Sequence, residues 1–82
     1  MTDNTYNGYA NYATWNVSLW IGNDEGLYET ASNIARQGGT YGDVAALLNE
    51  CGSKKTPDGV SWTDTKIDGI EVNEMMKELV DS

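Results

Sequence analysis

The chain has 82 residues, with thirteen Asp and Glu against five Lys and Arg, a formal charge of −8 and no histidine. That length holds one domain with a modest core, and the charge opposes phosphate backbones and anionic lipid while favouring basic protein surfaces. The missing histidine removes Cys-His and Ser-His-Asp arrangements and most transition-metal sites.

Residues 1–10 are rich in Thr, Asn, Gly and Tyr without periodicity and read as a flexible or extended arm, which Tyr6 and Tyr9 can pin to the body. Residues 11–82 then read as a single helical domain. Within 11–24, Trp15, Val17, Leu19 and Ile21 alternate like a strand, whereas Tyr12, Trp15 and Leu19 follow helical spacing, and Trp20 breaks the alternation. Asn11 as N-cap and Gly22 as a stop favour a short helix, apolar nearly all round and central to the core.

Asn23 or Asp24 can cap a second helix running to about Gln37, with Leu27, Tyr28, Ala31, Ile34 and Ala35 on one face and Gly38-Gly39 ending it. Thr40 and Asp43 stand at capping-box spacing ahead of Val44, Leu47, Leu48 and Cys51, a third amphipathic helix closed by Gly52. Its position in that row makes Cys51 a buried small hydrophobe. Residues 52–59 form a loop, and 60–62 a short extended piece bringing Trp62 onto the core. Asp68 caps the last helix, with Glu71 three residues later. The fold class is mainly α, a small bundle of about four short helices. An α+β arrangement with a two-stranded ribbon of 15–21 and 60–62 is the alternative.

The last helix carries two stripes. Val72, Met75, Met76, Leu79 and Val80 fill an arc of about 140° on a helical wheel, while Glu71, Glu74, Glu78 and Asp81 fall within a separate arc of about 80°. Axial steps of roughly 4.5 to 6 Å between those acids compare loosely with the rise of about 3.4 Å per phosphate along a nucleic-acid strand. A solvated face gives a similar pattern, so the row is either solubilising or a mimic of phosphates.

Other chemistry is poorly supported. Gly52-Ser53-Lys54-Lys55-Thr56 lacks the upstream glycine of a phosphate loop, and a calcium loop counted from Asp64 would have Lys66 third and Met75 twelfth, where it needs oxygen ligands. Asp24, Glu25 and Glu29, or Asp64 and Asp68, are carboxylate groups that a cryptic enzyme would use, but nothing places a substrate there. No catalytic, metal or cofactor-binding residue is assigned. No apolar run approaches the roughly 18 residues of a membrane span and no leader precedes 11, which points to the cytoplasm. The three tryptophans read as core units, with Trp20 set apart as an exposed anchor for a partner. A homodimer stays open, since a small chain gains stability from association.

The run from Asn11 through Asp24, with Gly26-Leu27-Tyr28 after it and Tyr6-Asn7-Gly8-Tyr9 before it, resembles the signature of a family of small proteins from bacteriophages and mobile elements. The resemblance covers 6–36 well and the segments around Trp62 and the last helix less closely, and it supplies no catalytic residues. It implies a mobile-element origin and hence host takeover or defence evasion. Together with the acidity, it leads to the expectation of a host-cell cytoplasmic inhibitor of anti-CRISPR or anti-restriction type. Glu71, Glu74, Glu78 and Asp81 would meet a host protein's basic surface, and Tyr6, Tyr9 and Trp20 would add apolar contacts, without direct nucleic-acid or membrane binding. The alternative is a non-catalytic adaptor or self-assembling protein that uses an aromatic surface.

Overall fold

The computed structural model describes residues 6–81, so the first half of the expected arm, 1–5, and Ser82 lie outside the described residues. Four helices follow in order: α1 is Tyr12–Asn23, α2 is Glu25–Arg36, α3 is Tyr41–Glu50 and α4 is Gly69–Asp81. The chain is a mainly α small bundle in which α1, α2 and α3 all pack against α4, and α2 touches both α1 and α3.

Asn11 is extended, and its side chain accepts the Thr14 N–H at 2.9 Å, starting α1 as its sequence position implies. Gly22 does not stop the helix. The Asp24 N–H still reaches Trp20 O at 2.9 Å, and Asp24 Oδ1 accepts the Leu27 N–H at 3.0 Å, so one residue closes α1 and caps α2. A glycine weakens a helix by roughly 1 kcal/mol, which the bonds of the following turn override. The segment 15–21 is therefore helical throughout, and its strand-like alternation is not expressed.

Nor is α1 apolar on its core side. Val17 and Ile21 are fully buried, but so are Thr14 and Asn16, with Ser18 nearly so. Thr14 Oγ1 donates to Asn11 Oδ1 and accepts the Asp68 N–H, each at 2.9 Å. Its burial is thereby satisfied.

Between α2 and α3 the chain turns through Gly38, at φ +84, and Gly39. Asp43 Oδ2 accepts the Thr40 N–H at 2.9 Å at the start of α3. After Glu50 the expected burial of Cys51 fails, and the thiol is exposed. At that point the chain is already leaving the helix: Gly52 takes φ +89 and the Ser53 N–H returns to Leu48 O at 2.9 Å, so Cys51 turns outward instead of extending the apolar row.

The connection to α4 contains a small paired ribbon, different from the one the sequence allowed. Lys55 bridges Ser61 in antiparallel fashion. Thr56 N–H donates to Val60 O at 2.8 Å, and Trp62 N–H to Lys54 O at 3.2 Å. The intervening turn closes with Gly59 N–H on Thr56 O at 2.8 Å and Gly59 at φ +94. Val60–Trp62 thus pairs across its own Pro57–Gly59 turn and not with 15–21.

The ribbon inserts Val60 and Trp62 into a core with Val17, Ile21, Ala31, Val44, Leu48, Val72 and Met76. Trp62 is 2 % exposed, and its carbonyl accepts the Tyr41 hydroxyl at 2.5 Å. Burial, with the Asp64 charge added, pushes the Tyr41 phenol far above the usual tyrosine range, so it acts as a fixed donor. Asp68 Oδ1 accepts the Ile70 and Glu71 N–H groups at the start of α4. No helix among the described residues is long and apolar enough to cross a membrane.

One close approach tests this packing. A Cβ on Gly39 would lie 2.5 Å from Ile34 Cγ2, 2.9 Å from Asp43 Oδ2 and 3.0 Å from the Ile34 carbonyl oxygen. Gly39→Ala should therefore cost about 1–3 kcal/mol through overpacking, read as a lower Tm in thermal unfolding. An unchanged Tm would show that the α2–α3 turn yields freely.

Candidate functional site

Burial of Val72 and Met76 fixes the rotation of α4 and sends its acidic stripe to another side. Glu74, Glu78 and Asp81 are exposed, and none of their side chains makes an ion pair or hydrogen bond with another described residue. Glu71 differs from them. It is half-buried, and its Oε1 accepts the Ala10 N–H at 2.7 Å. The capping box expected from Asp68 and Glu71 is thus only half formed: Asp68 caps the helix, while Glu71 reaches across to the segment before α1, and the Asp68 N–H goes to Thr14. The four acids divide into an outward trio and one internal tether.

What Glu71 holds is a tight turn. Tyr6 N–H donates to Tyr9 O at 2.7 Å and Tyr9 N–H to Tyr6 O at 2.9 Å, with positive φ at both Asn7 (50) and Gly8 (90). Two successive positive values between paired residues make a type I′ hairpin turn, for which Asn-Gly is the preferred sequence. That signal was present in the sequence, between two tyrosines, but the surrounding composition read as an arm. Within the described residues, 6–10 form a docked hairpin.

The hairpin stands beside α4 and leaves a groove of about 320 Å³, lined by Gly8, Tyr9, Glu71, Glu74, Met75 and Glu78. A phenol ring, a thioether and three carboxylates form a lining suited to an ammonium or guanidinium group, through charge-assisted hydrogen bonds and the ring face.

Tyr6 belongs to an aromatic cluster on the other flank of the hairpin. Its ring meets Tyr12 edge-on at 5.3 Å and Trp15 at 4.8 Å, and Tyr12 and Trp15 are 5.6 Å apart. Tyr6 is 41 % and Tyr12 44 % exposed, while Tyr9 and Trp15 are half-buried. Periodicity did not distinguish Tyr12 and Trp15 as surface groups, because their helical spacing matches that of core residues. Their exposure depends on where the hairpin docks.

Trp20 is not the exposed anchor expected of it. It is half-buried, and its Nε1–H donates to Asp58 Oδ2 at 2.9 Å. The same oxygen accepts from Asn16 Nδ2 at 2.8 Å, and Thr56 Oγ1 donates to Asn16 Oδ1 at 2.6 Å. The Asn16 and Trp20 bonds hold the Asp58 carboxyl below the usual aspartate range. Trp20 therefore joins the ribbon to α1, apart from the acidic groove. Among the described residues no group of three or more Cys, Asp or Glu is arranged to hold a metal ion.

Comparison with known sequences assigns a family. The chain belongs to DUF7249, a family of unknown function. The match to the DUF7249 sequence profile spans residues 2–82, so the hairpin, the ribbon and all four helices lie within the family's domain. No curated protein and no solved structure matches the chain.

The tether is open to measurement in this DUF7249 member. Glu71→Ala removes the acceptor of the Ala10 amide, and loss of about 1 kcal/mol there should speed Ala10 hydrogen exchange by several-fold. Glu71→Gln keeps an acceptor oxygen and should change it less. Equal protection in all three proteins would show that the ring cluster alone holds the hairpin.

Proposed function

We propose that this protein binds and inhibits a host nucleic-acid-handling or defence protein by covering a basic surface, as an anti-CRISPR or anti-restriction inhibitor does. The observation that carries this reading is the outward trio Glu74, Glu78 and Asp81 on a helix whose rotation is fixed by buried Val72 and Met76. Acids held in a row on a packed element meet a cationic surface with little ordering cost, and a charge of −8 speeds the encounter. The groove beside Tyr9 extends that row with a concave, aromatic-walled place for a basic side chain. The likeness of 6–36 to phage and mobile-element proteins favours a host target and a host-cytoplasmic site of action. Binding is stoichiometric in this reading, with no catalytic step.

A second reading rests on the ring cluster that exposed Tyr6 and Tyr12 form with half-buried Trp15, which suits a non-catalytic adaptor or self-assembling protein. Salt separates the two. An electrostatic interface weakens strongly as ionic strength rises, whereas an aromatic one changes little.

The decisive experiment reverses Glu74, Glu78 and Asp81 to Lys, sparing the Glu71 tether, and compares host proteins captured from a lysate with the intact chain. The expected result is loss of a salt-sensitive partner with an unchanged far-UV CD spectrum. Retention of the same partner by the folded variant would reject the acidic row as the contact. Loss of that partner on Tyr12→Ala instead, with no salt dependence, would support the aromatic reading.

A further inference from the structure

We infer that the turn over residues 56–59 is a strap clasped to α1 by Asp58, and that neutralising this carboxylate loosens Trp20 and reshapes the groove beside it. The groove has a volume of about 510 Å³ and a wall made of Trp20, Leu27, Leu48, Pro57 and Trp62. Pro57 belongs to the strap and Trp20 to α1, so the two sides of the groove are joined through the residue next to Pro57.

The clasp is unevenly built. At its base, Thr56 is buried and bonded to Asn16, while Val60 and Trp62 sit in the core. That end cannot lift without unfolding. At its tip, one exposed oxygen, Asp58 Oδ2, accepts both Asn16 Nδ2 and Trp20 Nε1. A negative acceptor makes such bonds roughly twice as strong as a neutral one. Once protonated, the same oxygen competes poorly with water at an exposed position, so the tip opens while the base stays closed.

The titratable and charged groups around the clasp are few. Tyr12 on α1 places its hydroxyl 3.4 Å from Asn16 Nδ2. Asp24, at the start of α2, and Lys55, on the ribbon, line the same groove as Trp20. Leu48 is the contribution of α3 and carries no charge. Of these, Asp24 is the other carboxylate and serves as the control.

The direction of the pH effect follows from the hydrogen bonds. Because they lower the folded-state value of Asp58, the clasp is complete above the ordinary aspartate range of about 3.9 and is lost as pH falls through the lower folded value.

The test follows the indole N–H signals of Trp20 and Trp62 by NMR in the intact chain during acid titration, with far-UV CD in parallel. Trp20 should shift with a midpoint below about 3.9 and exchange with solvent several-fold faster, while Trp62 and the CD spectrum hold. In Asp58→Asn, the Trp20 signal should sit near its acid position at neutral pH and respond little to acid. Asp24→Asn should keep the wild-type titration, and it provides the test if Asp58→Asn fails to fold. Trp20 moving only together with Trp62 and helix loss, an unaltered Trp20 signal in folded Asp58→Asn, or disappearance of the titration in Asp24→Asn would each overturn the proposal.

Discussion

The arrangement of the molecule depends on the side-chain amide of Asn16, which is fully buried in the middle of α1. An amide removed from water costs several kcal/mol unless its donors and acceptor are paired. Here both ends are paired, and every partner beyond α1 comes from the ribbon: Thr56 donates to the oxygen and Asp58 accepts from the nitrogen. The fold is satisfied only when α1 and the 54–62 segment meet in one register. That register also puts Val60 and Trp62 into the core and brings the Trp62 carbonyl to Tyr41 at the head of α3. A polar contact therefore selects the arrangement that the apolar contacts stabilise.

A second set of bonds does the same for the opposite end of α1. Asn11 caps the helix and donates its amide to Lys66 O, Thr14 accepts the Asp68 N–H, and Asp68 caps α4. The N-termini of α1 and α4 are thus locked together, and Glu71, one turn into α4, can reach Ala10. The hairpin, the groove and the ring cluster all follow from that junction. Many polar side chains in the run 11–24, those of Asn11, Thr14, Asn16, Trp20 and Asp24, are engaged within the molecule. Those residues build the scaffold, whereas Tyr6, Tyr12, Glu74, Glu78 and Asp81 are exposed.

Much of the scaffold was legible because it is encoded locally. Helices α2, α3 and α4 each combine apolar residues at helical spacing with a capping side chain within a few positions, and both signals belong to the same short window. The first segment was harder, since Thr14, Asn16 and Ser18 are buried where periodicity expects apolar residues, and the groups that bond Thr14 and Asn16, at Asp68, Thr56 and Asp58, lie far along the chain. Gly22 and Cys51 misled for a related reason: whether a helix runs on or stops by one residue is decided by bonds to the following turn. The division of the acidic row was not readable at all. Glu71 and Ala10 are 61 positions apart, and nothing local distinguishes Glu71 from Glu74. The Asn7-Gly8 turn was readable, and only its docking was not.

The exposed trio also bears on the mechanics of α4. Glu74 and Glu78 stand one turn apart as like charges, and Asp81 adds a third at the end of a helix whose last turn has no basic residue. Repulsion between such neighbours weakens a helix by a few tenths of a kcal/mol per pair, and negative charge at a C-terminus works against the dipole. The free protein thus keeps the end of α4 under electrostatic tension, damped by Lys77, one turn from both Glu74 and Asp81, and by ions in solution. A cationic body seated there removes both penalties together, so the attraction felt by such a body and the stiffening of the helix beneath it are two aspects of one free-energy change.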